Sequence, residues 1–175
     1  HAHQEGVSRI MRQIREPSVA ALLVGKTSRA GELGIRLALD RESALREGSP
    51  WLSPEAYVTV LGNLIENAIE SLNQSPRGVK DISVSIREGE DGLLLCVEDT
   101  GPGIPVDLKG RLFQPGATSK GPGRGTGLAL VQEVVTAYHG SIRVESESGV
   151  GTSFFVSFLR ETGEEHREGT ACTES

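Results

Sequence analysis

Hydrophobic and polar positions follow two different periods along this chain, and the change from one period to the other predicts the order of its elements. Apolar residues recur at helical spacing in four segments, which cover residues 1–16, 17–30, 54–72 and 127–138. Shorter segments, several of them alternating apolar and polar, predict strands at residues 34–40, 82–87, 93–98, 141–147 and 152–159. The last four strands form two predicted hairpins.

Proline and glycine punctuate this pattern. A helix break is predicted at Pro17, because the residue before a proline avoids the helical region. Pro17 and Pro54 suit the first turn of the helices that they open, and Gly31 is the predicted stop of the second helix. Residues 41–51 and 73–78 are predicted loops. The hairpins favour antiparallel pairing, which predicts a mixed sheet with helices layered on one face.

Composition narrows the functional classes. The length of 175 residues predicts one domain with a short appendage. The net charge of −6 argues against a general nucleic-acid surface, which needs a basic patch. Two cysteines are too few for a disulfide framework or a zinc site, so a reducing compartment is expected.

No membrane segment or signal peptide is evident in the sequence. No apolar run reaches the roughly 18 residues that a membrane-spanning helix needs, and nothing resembles a secretory leader. Because the sequence begins with His1, we expect a fragment, and a membrane segment could lie outside it.

Glycines concentrate between residues 97 and 131. Two clusters, D-T-G-P-G-I-P and G-P-G-R-G-T-G, flank the sequence L-F-Q-P-G-A-T-S-K. Glycine costs conformational entropy on folding, so this concentration indicates that the backbone approaches a ligand closely. We interpret the stretch as the rim, lid and floor of a nucleotide pocket, with residues 106–123 as the lid.

The predicted helix at 54–72 carries amide and carboxylate groups on one side. Asn63 and Asn67 share a face, although asparagine is a mediocre helix former, and Glu66 and Glu70 lie near the same side. An exposed polar stripe is the simpler interpretation. Next to a phosphate loop, the same oxygens suit Mg²⁺, which usually takes one or two protein ligands together with phosphates and waters.

Each glycine cluster also has two interpretations. Asp99 and the glycines after it could form a tight turn, or the carboxylate could accept a hydrogen bond from an amino group such as N6 of adenine. The cluster at 121–127 could be a flexible linker, or the anion-binding start of a helix to which Lys120 and Arg124 add positive charge. It lacks the G-K-[ST] of a Walker A loop and does not follow a strand as a Rossmann loop would.

Four blocks resemble, in order and spacing, the N, G1, F and G2 boxes of the ATP-binding domain of sensor histidine kinases. They are N-L-I-E-N-A (63–68), D-T-G-P-G-I (99–104), L-F-Q-P-G-A-T-S-K (112–120) and G-R-G-T-G-L-A-L (123–130). The segment S-E-S-G-V-G-T-S-F (146–154) resembles the terminal block of that family. The implied fold is the Bergerat two-layer α/β sandwich, a mixed and mostly antiparallel sheet with helices on one face. This fold is shared with DNA gyrase, the heat-shock-90 chaperones and MutL. Upstream, P-S-V-A-A-L-L-V-G-K (17–26) resembles the citrate and C4-dicarboxylate sensor kinases.

The resemblance implies a site for ATP and Mg²⁺. Asn67 would hold Mg²⁺, Asn63 would lie beside the phosphates as a possible second metal ligand, and Glu66 would complete the catalytic group. Asp99 would bind N6 of adenine. The other adenine contacts would come from Gly101, Gly103, Ile104 and Thr152, and the phosphate contacts from Lys120, Arg124, Gly125, Thr126, Gly127 and Leu128. The chain departs from the family at Glu70, where many members have a basic residue, and at Gly116, where a second aromatic is usual.

The same resemblance implies a role for each part of the chain. Residues 1–30 would be the remnant of the dimerisation and phosphoacceptor helices, 31–160 the catalytic domain and 161–175 a flexible tail. The domain would transfer the γ-phosphoryl group of ATP to a histidine on a phosphoacceptor domain absent here, and a response regulator would act downstream. The whole protein would be a homodimer, with this domain on the cytoplasmic side of an inner membrane. A hydrolysing ATPase of the gyrase type, an anti-sigma-type serine kinase and a non-enzymatic module are the alternatives.

Overall fold

Helices and strands follow one another along the computed structural model of the protein, which describes residues 2–75, 78–110, 112–113 and 126–160. The helices are α1 (Ala2–Gln13), α2 (Pro17–Glu32), α3 (Pro54–Asn73), α4 (Val106–Lys109) and α5 (Thr126–Ala137). The strands are β1 (Arg36–Leu39), β2 (Asp81–Glu88), β3 (Gly92–Asp99), β4 (Ser141–Glu147) and β5 (Gly151–Leu159). Every predicted helix and strand is present, and α4 adds a short helix in the segment predicted as the lid.

The junction between α2 and β1 differs from the prediction. The helix runs through Gly31, and its end is set by Gly34, which has a φ of +74° and donates its N–H to the Gly31 carbonyl. A positive φ is a conformation that glycine adopts at little cost, and it is common just past the end of a helix. The strand therefore begins at Arg36, two residues later than predicted.

One five-stranded sheet joins all the strands, in the order β1-β2-β3-β5-β4. β1 pairs with β2 in parallel, and the other neighbours are antiparallel. The predicted mixed, mostly antiparallel sheet is therefore confirmed. In this register Asp99, at the end of the central strand, lies opposite Ile82 on one side and Thr152 on the other.

Three helices, α2, α3 and α5, pack against one face of the sheet, with α3 between the other two. α3 begins at a cap in which the Ser53 side chain accepts the Ala56 N–H at 3.1 Å, and Pro54 occupies its first turn. Its apolar side is buried, and its polar side, which carries Asn63 and Asn67, stays partly exposed. None of the described helices is long and apolar enough to cross a membrane.

The first two helices share the core of the sheet. Ile10 of α1 and Leu23 of α2 are buried with the central strands. Ile14, the residue after α1, forms an isolated bridge with Leu45, so the predicted loop at 41–51 contains backbone pairing. The domain division at residue 30 stays a prediction, and the predicted tail at 161–175 lies outside the described residues.

Candidate nucleotide-binding site

Asp99 is a buried carboxylate residue at the end of the central strand, where it is 8% exposed. Its Oδ1 accepts the Gly101 N–H at 2.9 Å. Burial raises the pKa of Asp99, and the backbone N–H groups of Gly101 and Thr152 offset only part of that rise. A desolvated carboxylate gains from a donor that enters its pocket, and the exocyclic amine of adenine is such a donor.

Gly101 and Gly103 have no room for a side chain, because neighbouring protein atoms occupy the space. A Cβ at residue 101 would lie 2.7 Å from Ser71 Oγ on α3 and 2.8 Å from the Asp99 Oδ1 atom. Gly103 has a φ of +85°, and a Cβ there would lie 2.8 Å from the carbonyl oxygen of Glu147. The loop between β3 and α4 is therefore held between α3 and the β4–β5 hairpin.

Ser146, which the sequence did not single out, connects this loop to the sheet. Its Oγ accepts the Ile104 N–H at 2.8 Å and lies 3.1 Å from Thr152 Oγ1. Thr152 is 5% exposed, so this hydroxyl pair is shielded from water. Ser146 and Thr152 are directly opposite in the hairpin register. The S-G-V-G turn was the sequence signal that could have placed them together.

Near the middle of α3, about two turns before Ser71, Asn63 contacts the first turn of α5. A Cβ at Gly127 would lie only 2.8 Å from Asn63 Oδ1. The Asn63 Nδ2 donates to the Thr59 carbonyl at 2.7 Å, which fixes the amide so that Oδ1 faces the helix start. The predicted N and G2 boxes therefore meet, and Leu128 is buried beside them.

α3 is thus the common floor of the two glycine regions. It contacts the loop below Asp99 through Ser71 and the start of α5 through Asn63. These two α3 residues are separated by about 12 Å along the helix axis at the usual rise per residue. A nucleotide with its base near Asp99 and its phosphates near Gly127 would lie along the polar side of α3.

Asn63 and Asn67 offer the groups that a magnesium ion requires. Both carry neutral amide oxygens one turn apart, and within the described part of the chain no hydrogen bond engages the Asn67 side chain. Mg²⁺ usually takes one or two protein oxygens and completes its shell with phosphates and waters. The residues therefore fit a metal bound together with a triphosphate.

Glu66, the third predicted member of the catalytic group, pairs with α2. Its carboxylate accepts Lys26 Nζ at 2.9 Å and Arg29 Nη2 at 2.6 Å. Burial alone would raise the pKa of Glu66, but the hydrogen bonds from Arg29 and Lys26 outweigh it and lower the pKa. A catalytic role for Glu66 stays a prediction.

Several predicted contacts lie outside the described residues, namely Lys120, Arg124, Gly125 and the departure at Gly116. The side chain of Thr126 is also outside them, although its backbone begins α5. The predicted phosphate contacts from this region stay predictions, and so does the lid beyond the short helix α4.

An acidic concavity of about 530 Å³ adjoins the same end of the sheet. It shares Asp99 and Thr152 with the candidate site, but its lining also includes Glu98, Glu145 and Glu147. These carboxylates would repel a triphosphate, so this concavity does not suit the phosphates.

The family model for histidine kinase-, DNA gyrase B- and HSP90-like ATPases matches residues 53–162. The chain belongs to this family. It is 42% identical over 154 residues to the sensor histidine kinase DcuS of Escherichia coli K12, a match that covers 88% of this chain and 28% of DcuS. It is 37% identical over 169 residues to a probable C4-dicarboxylate sensor kinase of Bacillus subtilis, covering 95% of this chain and 31% of that protein. The chain thus spans less than a third of the length of these relatives.

Solved structures of histidine kinases have the same fold as this chain. Full-length ShkA in complex with AMPPNP aligns with a TM-score of 0.65 at 25% identity, covering 81% of this chain and 29% of ShkA. The catalytic domain of the histidine kinase ThkA has the same fold, with a TM-score of 0.63 at 22% identity over 82% of this chain and 90% of that domain. The predicted fold and the resemblance to sensor histidine kinases, including the C4-dicarboxylate group, are confirmed.

Proposed function

We propose that this chain binds Mg-ATP and transfers the γ-phosphoryl group to a histidine on separate phosphoacceptor helices of a two-component sensor kinase. The observation that carries the proposal is that one helix, α3, contacts the start of α5 through Asn63 and the loop after the buried Asp99 through Ser71. This arrangement provides one recognition point for a base and another for phosphates on the same helix.

Phosphoryl transfer needs little covalent participation from the enzyme, so the protein contributes mainly by positioning the reactants and neutralising charge. Asp99 would accept the N6 amine of adenine, and the backbone N–H groups at the start of α5 would face the phosphates. Asn67 would hold Mg²⁺, with Asn63 as a possible second ligand. When bound, that ion supplies neutralisation of the phosphate oxygens.

The partners follow from the same assignment. The phosphoacceptor histidine would come from the dimerisation helices of the whole protein, which we propose to be a homodimer. A response regulator receiver domain would accept the phosphoryl group next. We further propose that the chain is the cytoplasmic part of an inner-membrane sensor, as the resemblance to sensor histidine kinases implies.

Two alternatives make different demands on the same site. A hydrolysing ATPase of the gyrase type places a glutamate at the first N-box position as the base for water, and this chain has Asn63 there. An anti-sigma-type kinase would phosphorylate a serine. Phosphohistidine is labile in acid and phosphoserine is stable, so the acid stability of the product separates the two kinases.

The test is transfer from labelled ATP to the phosphoacceptor hairpin, added in trans, together with calorimetry of Mg-ATP binding to this chain. We expect saturable binding and an acid-labile phosphoprotein. Binding without any transfer, but with steady release of inorganic phosphate, would support the ATPase instead. Absence of nucleotide binding would refute the proposal.

A further inference from the structure

The P-S-V-A-A-L-L-V-G-K segment (17–26) contributes no residue to the predicted nucleotide site, yet its last residue contacts the N box. Lys26 Nζ lies 2.9 Å from Glu66 Oε2. One helical turn further along α2, Arg29 donates to both carboxylate oxygens of Glu66, from Nη2 at 2.6 Å and from Nε at 3.2 Å. Two cations of α2 therefore hold one carboxylate of α3.

We propose that Lys26 and Arg29 form a cationic clamp, which positions the N-box asparagines and keeps the charge of Glu66 away from the ATP phosphates. Both are positioning residues, because they act through Glu66. The inference rests on the proposed function and extends it to a part of the chain that lies before the matched family region.

The place of Glu66 on α3 makes its charge relevant to the phosphates. Asn63 lies three residues before it, so the two side chains are neighbours on the helix surface. Asn67 is the next residue along the chain. Since Asn63 Oδ1 contacts the start of α5, an unheld Glu66 carboxylate would lie within one helical turn of the expected phosphate position.

The local charge balance depends on Lys26. Glu32 and Glu70 also act electrostatically on Arg29, so three carboxylates surround the clamp. Without Lys26, Arg29 would be the one cation that contacts Glu66 among the described residues. Lys26 and Glu66 are only 21% and 29% exposed, so solvent screens their interaction less than that of a surface pair.

The clamp also ties the two helices together, because both of its ion pairs join α2 to α3. The Arg29 contact is bidentate, a geometry that fixes orientation as well as distance. A rotation of α3 would move Asn63 away from Gly127, so the clamp and this contact support the same helix position.

The deciding experiment removes one charge at nearly constant shape, with Lys26→Met in the full 175-residue chain. Calorimetry would measure the binding of Mg-ATP and, separately, of adenosine. We expect Kd for Mg-ATP to rise about fivefold because of the uncompensated carboxylate, and Kd for adenosine to stay within about twofold. If Lys26 served only to stabilise the fold, the substitution would weaken the binding of both ligands equally.

Further variants separate charge from packing. Lys26→Arg keeps the charge and should bind Mg-ATP like the unaltered chain. Lys26→Met combined with Glu66→Gln removes both charges and should recover most of the lost affinity. Arg29→Met, at a half-exposed position, should shift Mg-ATP binding in the same direction as Lys26→Met. Arg46→Met is the matched control, because it breaks an ion pair with Glu88. Glu88 lies at the end of β2 that is remote from Asp99, so this variant should bind Mg-ATP and adenosine like the unaltered chain.

Unaltered Mg-ATP binding by Lys26→Met, or no recovery in the double variant, would overturn the clamp while leaving the proposed function intact. Failure of the unaltered chain to bind Mg-ATP would instead overturn the proposed function, and the clamp with it. Equal loss of Mg-ATP and adenosine in Lys26→Met would also overturn the clamp, because it would assign Lys26 to general packing.

Discussion

Gly127→Ala tests the contact between the two helices that form the phosphate end of the site. The added methyl group would lie 2.8 Å from Asn63 Oδ1, which is too close for the present arrangement. The Asn63 amide is held by its 2.7 Å bond to the Thr59 carbonyl, so it can make room only by breaking that bond. The substitution should therefore move the amide oxygen away from the start of α5.

Two effects on stability nearly cancel. Alanine is favoured over glycine in a helix by about 1 kcal/mol, and the lost hydrogen bond costs about 1 kcal/mol. We expect the free energy of unfolding of Gly127→Ala to stay within about 1 kcal/mol of the unaltered chain. Binding should suffer much more, because the clash would also displace the N–H groups at the start of α5 that are proposed to face the phosphates. A hydrogen bond to such a charged group contributes about 1.5–3 kcal/mol. Kd for Mg-ATP should rise roughly 10- to 100-fold.

Gly62→Ala is the matched control, one residue before Asn63 on α3. A Cβ there would meet Leu22 Cδ1 at 3.6 Å, an ordinary packing distance. We expect this variant to be more stable by about 0.5–1 kcal/mol and to bind Mg-ATP normally. Calorimetry and thermal unfolding of both variants decide the question. Normal Mg-ATP affinity in a folded Gly127→Ala chain would refute the contact between Asn63 and α5 as part of the site.

Three further substitutions probe the remaining parts of the site. Asp99→Asn should abolish ATP binding in calorimetry. Because the pKa of Asp99 is raised in the folded chain, the ionised carboxylate destabilises the fold at neutral pH. Asp99→Asn should therefore raise the midpoint of thermal unfolding at neutral pH and lose this gain as the pH falls. An equal gain at every pH would contradict this. Ser146→Ala removes the acceptor of the Ile104 N–H and should lower the free energy of unfolding by about 1 kcal/mol. It should weaken the binding of adenosine and of Mg-ATP to the same extent. Weaker binding of Mg-ATP alone would argue against a role of Ser146 in the adenine loop. Asn67→Ala should abolish Mg²⁺-dependent transfer to the phosphoacceptor hairpin with little change in adenosine binding, and normal transfer would remove Asn67 from the metal site.

The order of elements was predictable because it depends on local patterns. Hairpin signals gave the β2–β3 and β4–β5 pairs, and the strict alternation of residues 82–87 agrees with the alternating burial of β2. The end of α2 was mislocated because Gly31 and Gly34 are both glycines near the end of the pattern. Only the backbone conformation distinguishes them, and of the two Gly34 alone has a positive φ.

The contacts between distant segments were not predictable in the same way. The glycine cluster at 99–105 predicts a close approach of the backbone to a ligand. The structure adds that a Cβ at Gly101 would clash with Ser71 and a Cβ at Gly103 with the backbone of Glu147. The pairing of Lys26 with Glu66 joins residues 40 positions apart. Such pairs depend on how α2 lies against α3, which no local period encodes.

The two ends of the site are held by different structures, and this difference has a consequence for regulation. Asp99 and Thr152 are fixed by strand pairing in the middle of a sheet, where movement would break many backbone bonds. Asn63 depends on the position of α3, which is set by side-chain packing against α5 and by ion pairs with α2. A displacement that arrives through α1 and α2 should therefore change phosphate and metal binding more than adenine recognition, since α3 reaches the adenine loop only through Ser71 while the sheet holds Asp99.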